Sequence, residues 1–342
     1  MRLVPVSRLY PKENVEIAID IIDENYQVLL KKGDTLNEEN ITMLKSTNVS
    51  AVYVRDEYCF VEEEKITANP ANVLRKVVIL RKLSKMSMLG TITKEMVLET
   101  LNTVKEIVDS LNEHKDTMKI KYVPKKIMIY DFEERTIYIA IMSSLFALKM
   151  GLSKHEASTI CLAALVRDIA LVQPNVEWGK NHNCKVHPLK SAEWLKKHYK
   201  LPQDVLDIVL QHHELSDGTG YPAGLKGDEI VVGARILAIV DAYYKVKTTS
   251  ITEHTEMNFD KRMKHLDKEY LAQFMKYVTI YEPDTLVGLS SCDIAVVTEA
   301  PSPNPFKPQV KIVKSQEYPV GTILDLHKME YPRIEETVYY ID

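Results

Sequence analysis

Apolar positions change period along this chain, and the change divides it. Up to residue 64 they come in short runs. Residues 15–22 and 27–30 read as strands around the turn-forming Asp23-Glu24-Asn25, and 51–54 as a β-branched strand. Between them Gly33-Asp34 breaks the chain, and 37–45 carries Ile41 and Leu44 at helical spacing. Ala68-Asn69-Pro70 reads as a linker, because proline restricts the residue before it. Beyond it the period is about 3.6 residues. Amphipathic helices are expected over 73–85 and 94–111, and a long one over 131–150 that Gly151 ends. The next, over 154–171, is apolar nearly all round and so buried. Helices over 189–198, 203–214, 233–245 and 266–277 follow, with a glycine-rich loop across 217–227. After 281 strands return at 293–298, 309–313 and 323–326, around a loop marked by Pro301, Pro303, Pro305 and Pro308. The expected fold class is mainly α. A helical core spans 69–280, with a small N-terminal α/β domain over 1–68 and a short β-containing C-terminal extension over 281–342.

Composition narrows the function. Of the 342 residues 45% are hydrophobic, enough for a sizeable core and too many for global disorder. The net charge of −4 argues against binding a nucleic-acid polymer, whose affinity rests on excess positive charge. The longest apolar stretch, 137–148, is interrupted by Ser143 and Ser144 and falls short of the roughly 20 residues a bilayer needs. Arg8, Lys12 and Glu13 leave no apolar leader at the start. Cys59, Cys161, Cys184 and Cys292 are widely scattered, as in a reduced compartment, so a cytoplasmic location without a membrane span is expected.

Charge placed inside apolar helices points to chemistry. Asp168 sits in Leu165-Val166-Arg167-Asp168-Ile169-Ala170-Leu171, and Asp241 follows Ile236-Leu237-Ala238-Ile239-Val240. A carboxylate in such surroundings is costly unless a cation or several donors partner it. His212 and His213 close a helix just before the glycine-rich loop, and His187 stands with Pro188 at a helix start. Three histidines and two aspartates suit Zn, Mn, Fe or Ni, whereas each alone reads as a structural or surface residue. A rival local cluster, His182, Cys184 and His187, lacks the second pair that a structural zinc site wants.

The run His212-His213-Glu214-Leu215-Ser216-Asp217-Gly218-Thr219-Gly220-Tyr221-Pro222-Ala223-Gly224-Leu225-Lys226-Gly227 resembles the second signature of the HD-GYP family. Ala234-Arg235-Ile236, continuing to Asp241, is similar to it too. The first segment resembles the N-terminal domain often attached to these proteins, and 277–326 their C-terminal tail. The resemblance implies a helical core with two or three metals that hydrolyses cyclic di-GMP, the metals activating water and offsetting charge at phosphorus. It implies metal ligands at Asp168, His187, His212, His213 and Asp241. It also implies a protein-interaction loop at Asp217, Gly218, Gly220, Tyr221 and Pro222.

The chain departs from that pattern. The first signature, His-Asp followed by Ile-Gly-Lys, is here Arg167-Asp168-Ile169-Ala170-Leu171, and the family's first ligand histidine falls on Arg135. The spacing from Asp168 to His187 is short for the family. Residues 243–249 lack the arginine- and tyrosine-bearing segment that grips substrate phosphate. Arginine has no lone pair to offer a metal. Arg135 and Arg167 are therefore expected to replace one metal's charge, with Asp131 one turn away in the same network. The remaining ligands would hold one divalent transition metal (Fe, Mn, Zn or Ni) or none. The expected function is a catalytically impaired HD-GYP protein of cyclic di-GMP signalling that acts by binding or protein interaction. The alternative is an active cyclic di-GMP phosphodiesterase with a single-metal site.

Overall fold

A computed structural model describes residues 1–22, 28–47, 49, 51–61, 94–120, 131–172, 185–249 and 255–341. The linker at 68–70, the helix expected over 73–85, the turn at 23–25, His182 and Cys184 lie outside these residues, as does the side chain of Asp131.

The chain begins with β1 (Arg2–Pro5), β2 (Glu16–Ile17), β3 (Ile21–Ile22), β4 (Val28–Leu30), helix α1 (Glu38–Lys45) and β5 (Ala51–Arg55). β5 is the centre of an antiparallel sheet with β1 and β2 at its edges, and β3 pairs with β4. The single strand expected over 15–22 is thus two strands in two sheets. Asp20 lies between them, and its carboxylate accepts from Lys32 N at 2.7 Å. α1 starts where Asn37 accepts from Asn40 N, with Glu38 and Glu39 in the first turn, as an N-terminus favours. Its Ile41 and Leu44 join Val4, Ile17 and Val54 in one small core. β1 had no alternation to reveal it, because its Arg2 is buried and ion-paired to Asp56 at 2.5 Å.

Eight further helices are described: α2 (Lys94–His114), α3 (Asp131–Lys149), α4 (Lys154–Val166), α5 (His187–His198), α6 (Gln203–Gln211), α7 (Val232–Thr249), α8 (Thr255–Met263) and α9 (Lys268–Tyr277). Gly151, at φ +89°, ends α3 as expected. Ser153 and Glu156 then start α4 with a reciprocal capping box. Ile107, Ile139, Phe146, Ile160, Val209, Ile236 and Phe274 form the main core, with Phe146 edge-on to Phe274 at 5.2 Å. The helix expected over 154–171 stops at Val166. Arg167 caps it, and Ile169–Val172 is a separate 3-10 turn, so Arg167 and Asp168 leave the helical repeat and turn inward. α8 is mostly polar and gave no usable period; among its described side chains Phe259 and Met263 are the buried ones.

The last segment is a five-stranded antiparallel meander, β6 (Leu286–Leu289), β7 (Ile294–Val297), β8 (Gln309–Lys314), β9 (Ile323–Asp325) and β10 (Ile334–Val338), in the order β10-β6-β7-β8-β9. Its core is Val287, Ala295, Val310 and Ile312. β7, β8 and β9 match the expected strands. β6 and β10 do not advertise themselves, since one contains Gly288 and the other is a half-exposed edge. Among the described residues no helix is long and apolar enough to cross a membrane.

Candidate metal centre

Three helix ends meet inside the helical core. Asp168 follows the cap of α4, His187 opens α5 with Pro188 behind it, and His212 caps α6 with His213 next. One ligand atom from each of Asp168, His187, His212 and His213 lies within 4.8 Å of the others. His187 Nε2 is 3.2 Å from His212 Nε2, and the two stand 3.2 and 3.4 Å from Asp168 Oδ1. Val209's carbonyl can only accept, so His212 Nδ1 donates to it at 2.6 Å and Nε2 keeps its lone pair.

Burial lowers the pKa of His212, with Asp168 working against it. Burial also lowers that of His213, and the adjacent His212 adds to the effect. Both rings are therefore neutral at neutral pH, the form that ligates metals. Burial pushes the Asp168 carboxyl up, but the Arg167 guanidinium, with a hydrogen bond from His187, holds it well below the usual carboxylate range. An anionic oxygen and lone-pair nitrogens aimed at one another suit a cation between them. The donor set fits a divalent transition metal.

Asp241 is not part of this group. It lies on α7, where Arg135 of α3 donates to its Oδ1 through Nε at 2.9 Å and Nη2 at 2.7 Å. Lys245, one turn along α7, stands 2.7 Å from Oδ2. Burial alone would raise the Asp241 pKa, but Lys245 and Arg135 hold it far below its ordinary value. Arg135 is raised in turn: burial lowers it, and the charges of Asp241 and Asp168 together with the hydrogen bond to Asp241 more than offset burial. Both oxygens of Asp241, a residue expected as a ligand, are thus engaged by protein cations. Arg167 lies fully inside, its Nε 3.3 Å from Asp168 Oδ2 and its Nη1 donating to the Ala164 carbonyl at 2.5 Å. Its Nη2 is buried without a hydrogen-bond partner among the described residues, and burial lowers its pKa. Sequence reasoning missed Lys245, although its i+4 spacing from Asp241 was the available signal.

The glycine-rich loop folds back over the ligands. Tyr221 donates its backbone N to the His213 carbonyl at 3.1 Å, and its ring centroid lies 4.9 Å from that of His213. Lys185 reaches within 6.0 Å of the same tyrosine ring. Gly218 has φ +80°, which favours glycine. At Gly220 a Cβ would stand 2.3 Å from Leu215 N, so no side chain fits. Asp217 accepts from Thr219 and pairs with His265 at 2.5 Å, which lowers its pKa to about 2. Pro222 is exposed. Glu214, quoted in the run but given no role, is buried and accepts from the backbones of Ala223 and Leu225.

The class so defined is a helical domain that gathers one aspartate and three histidines at its helix ends, a set that could hold a metal ion. The profile of the HD domain family matches residues 102–274, half of the chain, with all of these residues inside it. The chain belongs to the HD domain family, and its second signature and relatives make it an HD-GYP member. A cyclic di-GMP phosphodiesterase of Pseudomonas aeruginosa is 32% identical over 137 residues, 37% of this chain and 32% of the relative. A cyclic di-GMP phosphodiesterase response regulator of Xanthomonas campestris is 34% identical over 122 residues, 33% of this chain and 32% of the relative. A cyclic di-GMP phosphodiesterase of Borreliella burgdorferi is 24% identical over 218 residues, 57% of this chain and 55% of the relative. The chain thus spans about a third of the length of the first two and about half of the third.

Proposed function

We propose that this chain is a cyclic di-GMP signalling protein that acts by binding, with impaired phosphodiester hydrolysis. It holds one divalent transition metal at Asp168, His187, His212 and His213. Arg135, Arg167 and Lys245 take the place of a second. The observation that carries this reading is the grip of Arg135 and Lys245 on the two oxygens of Asp241. The relatives named as cyclic di-GMP phosphodiesterases supply the ligand class.

A bound metal supplies Lewis-acid stabilisation of charge on a phosphoryl oxygen. The chain's own residues do the remainder. Val209 fixes the tautomer of His212. Arg167 keeps Asp168 ionised. Arg135 and Lys245 keep Asp241 from a second metal. A bound phosphodiester then meets guanidinium groups that stabilise its resting charge, and no second metal to stabilise the transition state. Losing several kcal/mol of such stabilisation lowers the rate by several factors of ten, at about 1.4 kcal/mol per tenfold. The loop around Tyr221 is the surface offered to a protein partner.

The test is incubation of the manganese- or iron-loaded chain with cyclic di-GMP and chromatography for linear dinucleotide. No product above the protein-free control is expected, with heat of binding by calorimetry. The intact four-ligand cluster favours a second reading, a phosphodiesterase working on one metal. Metal-dependent product that disappears in His212→Ala would establish that second reading and overturn the first.

A further inference from the structure

Glu214 is a carboxylate sealed inside the protein immediately after a candidate ligand, and nothing in the proposed chemistry uses it. Its side chain is 2% exposed. Oε1 accepts from Ala223 N at 2.7 Å and Oε2 from Leu225 N at 3.0 Å. A buried charge needs such donors, and these two come from the far side of the glycine-rich loop. The loop is also tied directly to the ligand: Tyr221 N donates to the His213 carbonyl at 3.1 Å, and the two rings lie in contact. Gly220 packs so closely that a Cβ there would stand 2.6 Å from both the Glu214 Cα and the His213 carbonyl oxygen. The loop cannot shift without moving the backbone of residues 213–215.

We infer that Glu214 is a positioning residue that fastens the glycine-rich loop to His213, so that loop order and metal affinity rise together. This rests on the metal-site reading above. Metal bound at His213 steadies the backbone that Tyr221 and Gly220 lean on, and the loop clamped by Glu214 steadies the imidazole. Linkage makes the effect reciprocal: whatever partner fixes the loop tightens metal binding by the factor by which metal tightens that partner. The loop surface and the metal centre then form one regulatory unit.

The test uses the full chain with cobalt(II) as probe. Lys226 is exposed and is the one lysine or arginine between residues 201 and 234, so trypsin cleavage after it reads loop opening. Cleavage after Lys328, in the last segment, is the internal reference. In the wild type, saturating cobalt is expected to slow the Lys226 cut several-fold. Glu214→Gln is expected to cut faster without metal, to lose the metal protection, and to bind cobalt about 10-fold more weakly, as loss of a ligand's support typically does. Its cobalt visible absorption band is expected to change while its circular dichroism stays wild-type. Glu214→Ala, with no acceptor left, is expected to go further in each respect. Wild-type affinity, band and protection in Glu214→Gln would overturn the inference. If that variant does not fold, equal Lys226 cleavage of the wild type with and without cobalt overturns it instead. A wild type that takes up no cobalt defeats the metal-site reading. Equal metal-free cleavage of the two proteins then defeats the clamp separately.

Discussion

Replacing Arg135 with alanine leaves the Asp241 carboxylate inside the helical core with Lys245 as its ion-pair partner among the described residues. Breaking such a largely buried pair is expected to lower stability by about 2 kcal/mol, read as a fall in the urea midpoint at unchanged slope. The double substitution Arg135→His, Arg167→His asks more of the site. It removes both guanidinium groups and offers two imidazoles, so metal uptake is expected to rise from about one ion per chain to about two. Uptake that does not move would mean the arginines do not stand where a metal would. Gly220→Ala is expected to cost roughly 2 kcal/mol or to displace the loop, since its Cβ would meet backbone. At this scale the sequence already displayed Asp168, His187, His212 and His213. It could not display the tautomer of His212 or the burial of Glu214, because both depend on backbone groups that carry no residue identity.

Elements divide by how strongly their pattern repeats. The end of α3 was legible because Gly151 punctuates it, and α4 starts at the expected residue, where the structure shows the Ser153–Glu156 box. Ser153→Ala removes that box and is expected to lower stability by about 1 kcal/mol, seen as a drop in melting temperature. The end of α4 was not legible, since Ile169, Ala170 and Leu171 continue its apolar run in sequence beyond Arg167 and Asp168, which leave it for the charge cluster in space. Cys161 lies within α4, and burial pushes its thiol up to about 11. It is expected to resist thiol-labelling reagents at pH 8 until the chain is unfolded.

Across the whole molecule, the first and last segments meet. Arg2 donates to the Tyr339 carbonyl from 337 residues away, Tyr10 lies 4.2 Å from Tyr340, and Asp284 accepts from Phe60 N and from the chain's amino terminus. No local pattern could announce contacts between residues so distant in sequence. Burial raises Tyr339 and Tyr340 from the ordinary value of 10.0 to about 12. A raised phenol favours the folded state's neutral form. Its stabilisation is complete below about pH 10 and is lost as pH rises through about 12, because the unfolded chain ionises first. Phenolate absorbance against pH is expected to show a late-titrating fraction that Tyr340→Phe reduces.

Metal content of the chain, purified without chelators, tests the central claim most directly. Elemental analysis of the wild type, Asp241→Asn and His212→Ala/His213→Ala decides it. About one transition-metal ion per chain is expected in the first two and close to none in the third. Two ions in the wild type, or loss of the ion in Asp241→Asn, would contradict a site in which Arg135 and Lys245 hold Asp241 away from metal.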